Sequence, residues 1–303
     1  MMLARVATYA LNSKLLDSSL KLQSRMAEKT TQQASGLVSS SYADLDAGDT
    51  TRLLNLQSSY SASLEVSSGL STASSRIDVM YSAVDDMVDL MTELRTYLSS
   101  ASTSSGSEDE LAQEGESVLS SLQQLLNTKY EGRYLFGGTA TTSAPVDLSV
   151  LGTPSIPSSE DTSYYSGTSD LPSVRLGTDQ TITYGTTGNS EAVEKAIRAA
   201  KIAATMSTDP VDSDALSEAY DLASEALNGL TVVQASLSIS ASRVEDAEYR
   251  EESLQSTLGT SITDVSQVDV AAVATQLSAY ETQLKASYSS IATVQGLSLL
   301  DYL

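Results

Sequence analysis

The stretch VSSGLSTASSRIDVMYSAVDDMVDLMTELRTYLSSA, residues 66–101, decides the fold class. Within it Val66, Leu70, Ala73, Ile77, Met80, Val84, Met87, Met91, Leu94, Leu98 and Ala101 follow one another at alternating steps of four and three. Apolar residues on that alternation form a narrow seam along one face of a helix, the pattern of a coiled coil. At the helical rise such a segment is ~50 Å long, well beyond an average globular helix. A helix of that length with one apolar seam needs a partner to cover it.

Toward the C-terminus the seam runs into SSASTSSGSEDE (99–110), and a Ser/Gly-rich turn at 102–107 is expected. Ser107 precedes Glu108, Asp109 and Glu110, a capping residue followed by acids in the first turn. The next helix turns Leu111, Val118, Leu122 and Leu125 inward, and the two helices read as antiparallel neighbours. From Gly137 to about Asn189 Gly, Ser, Thr and Pro abound and the heptads vanish. Short β-type runs, SVRL (173–176) and TITY (181–184), sit between glycine turns, so a small β-rich insertion is expected. A disordered linker would share this composition.

Helical pattern resumes at Glu191 with Val193, Ile197 and Ala200, pauses at Asp209-Pro210, and returns. Leu216, Tyr220, Ala223, Leu227, Leu230, Leu237, Ala241 and Val244 read as a second long seam. After a break near GTSITDVSQVD (259–269) the last helix carries Val270, Val273, Leu277, Tyr280, Leu284, Ile291 and Val294. The N-terminal segment has a weaker stripe through Val6, Ala10, Leu16, Leu20 and Ala27. The expected order is therefore three helices, a β insertion, and three helices.

Composition narrows the function. The chain has no His and no Cys, so histidine- or cysteine-dependent catalysis and ordinary zinc sites are excluded. One Phe and no Trp suit thin helix–helix seams better than a thick core. A net charge of −22 repels phosphate backbones, which argues against nucleic acid as a partner. Residues 1–30 are locally basic (Arg5, Lys14, Lys21, Arg25, Lys29 against Asp17, Glu28), whereas 263–303 are locally acidic, so the two ends are complementary in sign. No stretch approaches the roughly 18 apolar residues of a membrane span, and the start lacks the apolar core of a cleaved signal. Ala286 to Leu300 carries no charge at all. Such a helix is either packed in its own bundle or buried by helices of other molecules.

Three features carry a superficial look of chemistry. Asp44, Asp46 and Asp49 around Gly48 lack the alternating ligands and distal Glu of a calcium loop and read as an acidic turn. Glu108, Asp109, Glu110, Glu114 and Glu116 read as a solvated helix start. Gly137-Gly138 has no phosphate-loop context and reads as a chain reversal.

Three segments together resemble the bacterial flagellin and hook–filament junction protein family (hook-associated protein 3 type). One is the tail from Asp264-Val265 through Leu277, Leu284 and Ala286-Ser287-Tyr288 to the closing Leu297-Ser298-Leu299-Leu300-Asp301-Tyr302-Leu303. Another is YEGRYLFGGT at 130–139, and the third is ASGLVSSSYADLDAG at 34–48. Leu37 and Asp44-Leu45-Asp46 depart from the family's basic residue and double Asp. The resemblance spans the chain and implies a mainly α, elongated coiled-coil rod made from both termini. Residues 1–45 and 262–303 would form the inner assembly domain, 46–136 and 190–261 an outer helical rod, and 137–189 the β insertion. It implies a structural subunit and no enzyme, with no cofactor and no metal. Its partners would be copies of itself, a hook-side junction protein, flagellin and an export chaperone. The subunit would leave through the type III export channel without a cleaved signal and reside in the extracellular flagellum. Assembly would rest on Val6, Leu16, Leu20, Val270, Leu277, Leu284, Ile291, Val294, Leu297, Leu299 and Leu300. YLFGGT, the run SVRLGTDQTITYGTTGN (173–189) and the SLLDYL ending favour the junction protein. Filament flagellin shares the same plan, and a cytoplasmic coiled-coil scaffold would share the periodicity.

Overall fold

The structure, a computed structural model, describes residues 2–101, 108–176, 180–207 and 211–296. Its order is α1 (Met2–Ser35), α2 (Ala47–Ala101), α3 (Glu108–Leu126), a segment with four short strands, α4 (Glu191–Thr205), α5 (Ser213–Ser266) and α6 (Val270–Gly296). Three helices, a β-containing insertion and three helices are thus observed. The turn at 102–107, its Ser107 cap, and the Asp209-Pro210 pause lie outside the described residues. The chain divides into two compact units, residues 1–62 with 254–303, and residues 63–253.

In the 63–253 unit the seam of α2 is buried as its spacing requires. From Leu70 to Leu98 every seam residue is buried, while Val66 and Ala101 at its ends are half-buried. The partner is α5, which runs antiparallel: Gln234 donates to Asp85 at 2.8 Å, and Ser63 donates to Glu251. In α5 the seam departs in part from expectation. Tyr220 is exposed, Leu227 and Ala241 are half-buried, and the fully buried positions include Ala215, Ala219, Ala226 and Leu230. Alanine supplies little apolar signal, so the larger neighbours one position away set the sequence reading. At the end of this stretch α4 meets α5, with Ala192 against Gly229 and Lys195 paired with Glu225.

The wedge is α4, which buries Ala192, Val193, Ala196, Ile197, Ala199, Ala200, Ile202 and Ala203 on most of its circumference. Two glycines make room for it. A Cβ on Gly115 of α3 would stand 2.5 Å from the Ala204 nitrogen, and one on Gly229 of α5 would stand 2.7 Å from Ala192 Cβ. In α3, Leu111, Val118 and Leu122 are buried as expected, and Leu126 takes the place given to Leu125, which is half-buried.

The insertion holds little strand. Two antiparallel pairs form, β1 (Lys129–Tyr130) with β2 (Arg133–Tyr134) and β3 (Ser173–Arg175) with β4 (Thr181–Thr183). The rest is irregular chain strapped to helices by side chains. Asn127 grips Val146 with both its amide groups, at 2.8 and 3.2 Å, and Gln123 accepts from the Leu148 N–H at 3.0 Å. Glu218 of α5 accepts from the Ser158 N–H at 2.8 Å. Phe136, Val146, Leu148, Tyr164, Val174, Ile182 and Tyr184 join the same buried cluster as the helix seams. The insertion is therefore part of that core, a point that periodicity could not reveal because its buried residues follow no period.

Candidate assembly interface

The other unit brings the two chain ends together. Gly36 ends α1 with φ +71°, the left-handed conformation of a helix C-cap, and its N–H returns to the Gln32 carbonyl at 2.8 Å. The next residues pair antiparallel with the chain ahead of α6: Val38 donates to the Ser266 carbonyl at 2.9 Å and Val268 to that of Gly36 at 3.0 Å. Gln32, itself buried, donates to the Val38 carbonyl at 2.9 Å and fixes the corner. Asp269 then caps α6 by accepting from the Ala271 and Ala272 N–H groups at 2.9 and 3.1 Å. From this shared corner α1 and α6 lie against each other, and Gln23 donates to the Tyr288 hydroxyl farther along.

Burial shows which faces meet. In α1 the less exposed side chains are Leu15, Ser19, Leu22, Met26, Lys29 and Gln32. In α6 they include Val273, Leu277, Tyr280, Leu284, Ser287 and Ile291. The α6 set is the seam that its spacing indicates, but only Val273 is buried outright. The α1 stripe expected from sequence is on the other side: Leu16 and Leu20 are 53% and 54% exposed, and Ala10 and Ala27 are exposed too. The helix carries two apolar stripes, one against α6 and one open.

Of the expected assembly residues, then, Leu16, Leu20 and Val270 are exposed and Leu277, Leu284 and Ile291 half-buried. The side chains of Val6 and Val294, and all of Leu297, Leu299 and Leu300, lie outside the described residues. Among the described side chains of this unit, only Ser19, Gln32, Leu53 and Val273 are buried. Opposite local charge does not appear as contacts: among the described residues no ion pair joins α1 to α6. Apolar contact and side-chain amide bonds hold the pair instead.

Elsewhere the acidic clusters are turns and helix starts. Asp49 stands in the first turn of α2, and among the described residues no group of acids is arranged to hold a metal. Burial raises the Glu114 carboxyl above the usual range, with Glu93 adding to it. Burial also raises Glu194, which is opposed by the Asp161 N–H and by Arg198 at 3.2 Å. Both belong to packing in the 63–253 unit.

The segment 130–139 forms a tight hairpin and a buried anchor. Glu131 and Gly132 turn at φ 49° and 76°, the paired left-handed residues of a type I′ turn. Phe136 is wholly buried, and Gly138 reverses the chain at φ 64° where a Cβ would strike the Thr168 carbonyl. No described helix is long and apolar enough to cross a membrane.

Comparison with known proteins places these features in context. Residues 6–141 match the model of the bacterial flagellin N-terminal helical region, and residues 220–303 match that of the bacterial flagellin C-terminal helical region. Together the two matches cover well over half of the chain. No curated protein matches the sequence. Among solved structures, one described as a flagellar hook-associated protein from Vibrio parahaemolyticus is similar at TM-score 0.59 and 15% identity, over 74% of this chain and 100% of that one. FlgL from Bacillus cereus is similar at TM-score 0.50 and 15% identity, over 71% and 98% respectively. At these identities the likeness is one of fold.

Proposed function

Because this chain belongs to the bacterial flagellin family, structural proteins of the flagellum and not enzymes, we propose that it is a hook–filament junction subunit. It polymerises through its terminal helices, meeting a hook-side neighbour at one end of its layer and flagellin at the other. The observation that carries the assembly role is the half-bare pair of terminal helices. Leu16, Leu20 and Val270 stand open and Leu277, Leu284 and Ile291 are only half-covered within one chain. Exposed apolar side chains repeated along two paired helices are what a second molecule covers. With Val6, Val294, Leu297, Leu299 and Leu300 they form the intersubunit seam of this reading. The uncharged run from Ala286 to Leu300 has the same explanation.

The choice of junction over filament rests on Tyr130–Thr139, whose buried Phe136 and double-glycine reversal match the junction-type sequence YLFGGT. Export through the flagellar channel, with a chaperone holding the ends until assembly, completes the reading. A junction subunit mates with unlike neighbours, whereas filament flagellin mates with itself and grows an open helix. At −22 per chain, copies repel at low ionic strength and salt screens that repulsion. The purified protein should therefore remain monomeric or form small assemblies even in high salt. Antibody labelling of sheared flagella should mark the filament base alone. Long filaments grown from the pure protein, or label along the whole filament, would make this the filament subunit instead.

A further inference from the structure

Arg76 of α2 and Arg133 of β2 converge on a notch whose other walls include Tyr134, Gly138, Pro172 and Tyr184. The void is about 20 Å³, room for one oxygen atom of a ligand. The Arg76 Nε is buried and has no hydrogen-bond partner among the described residues. Among the described residues its guanidinium reaches only the Tyr184 hydroxyl, to which Nη1 donates at 3.5 Å. Among the described residues the ion pairs are those of Lys195 with Glu191 and Glu225 and of Arg198 with Glu194. Neither Arg76 nor Arg133 takes part. A third cation stands on the same hairpin, with Lys129 Nζ 4.4 Å from the centre of the Tyr134 ring.

Charge numbers make this arrangement unexpected. The chain has 39 Asp and Glu for 17 Lys and Arg, so an arginine has more than two acids available to it on average. Two arginines facing one void without a carboxylate repel each other, and a buried Nε–H without an acceptor carries a desolvation cost. One bound oxyanion would remove both penalties. We infer that the notch is a binding site for a single carboxylate group, held by the Arg76 Nε–H and the Arg133 guanidinium. Tyr184 accepts from Arg76 and keeps its own proton free to donate to the same carboxylate. A void of one oxygen admits the edge of a planar carboxylate and suits it better than a tetrahedral phosphate or sulfate. Guanidinium–carboxylate pairing is the strong, directional form of this contact. The carboxylate can come from a free small acid or from an acidic side chain of a second copy of this chain, and these two sources are separable.

The site stands or falls independently of the junction assignment. Full-length protein labelled with ¹⁵N-arginine gives Nε–H signals that Arg76→Lys and Arg133→Lys variants assign. Replacing chloride with acetate at constant ionic strength should move the Arg76 signal saturably. The midpoint should weaken about tenfold in Arg133→Gln, the factor of one lost charge-assisted hydrogen bond. Arg133 is exposed, so this variant keeps its fold, and an unchanged circular dichroism melt verifies that. Movement of the same signals with protein concentration, reversed by salt, identifies a second copy as the source; movement with acetate alone identifies a free acid. An Arg76 signal that ignores acetate, or responds equally in Arg133→Gln, overturns the site.

Discussion

Two regions of this molecule follow the same three-four rhythm and reach different degrees of closure. Along α2 and α5 in the 63–253 unit, the seam is sealed by α3, α4 and the insertion, and on α2 its large side chains from Leu70 to Leu98 are wholly buried. Along α1 and α6 a comparable seam meets its opposite number, and among the described side chains of the α6 seam Val273 alone is buried. Periodicity reports that a face will be covered. It does not report whether the cover comes from the same chain. The difference teaches that a heptad can be complete in sequence and incomplete in the monomer, which is the condition expected of an assembling subunit.

The largest test of this contrast strikes the closed region. Phe136→Ala removes a wholly buried ring that ties the insertion to the helices and should cost about 3–5 kcal/mol. The thermal melt followed by circular dichroism should shift strongly downward. A melt within a degree or two of the parent would mean that the insertion is a separate module and that the core is less unified than its contacts indicate.

A weaker effect is expected from the open region. Leu284→Asp replaces a half-covered leucine, and the isolated protein should lose only about 1 kcal/mol, in line with a partly solvated site. Incorporation into flagella should nevertheless fail, because assembly would bury the new charge without a partner. Equal loss in the monomer and in the assembly would show that α6 is already closed within one chain, and the contrast would collapse.

The smallest effect is one of pH. Glu194 has its folded pKa raised chiefly by burial, so in the window from its ordinary value of 4.5 up to the raised one the folded state binds more protons than the unfolded state. Stability of the 63–253 unit therefore loses this contribution as pH rises through the window and regains it on acidification toward 4.5. Glu194→Gln should flatten that part of the stability–pH curve. A curve of unchanged shape would assign the slope to other groups.

Much of this architecture was legible in the residues, and the misses have physical causes. The α2 seam could be read because Ile, Met, Val and Leu occupy it without interruption from Ile77 to Leu98. In α5 the seam is partly alanine, too weak a signal beside Tyr220 and Leu227. In α1 two apolar stripes compete, and Leu16 and Leu20 outweigh Leu15, Leu22 and Met26 in the reading although the latter face α6. Opposite local charge is no part of how the two ends meet: α1 and α6 lie together, yet among the described residues no ion pair joins them. The convergence of Arg76 with Arg133 joins residues 57 positions apart, one on a helix and one on a hairpin strand. No spacing rule could have indicated it.

The corner where Val38 and Val268 exchange hydrogen bonds with Ser266 and Gly36 also governs timing. It joins residues more than 220 positions apart, and the Gln23–Tyr288 bond spans 265. Contacts of such separation form late, because the chain between them must be ordered or closed as a loop first. A chain that emerges lengthwise, from either end, holds its first helix without a partner until nearly the last residue is out. Between departure and arrival, the two ends are necessarily strangers.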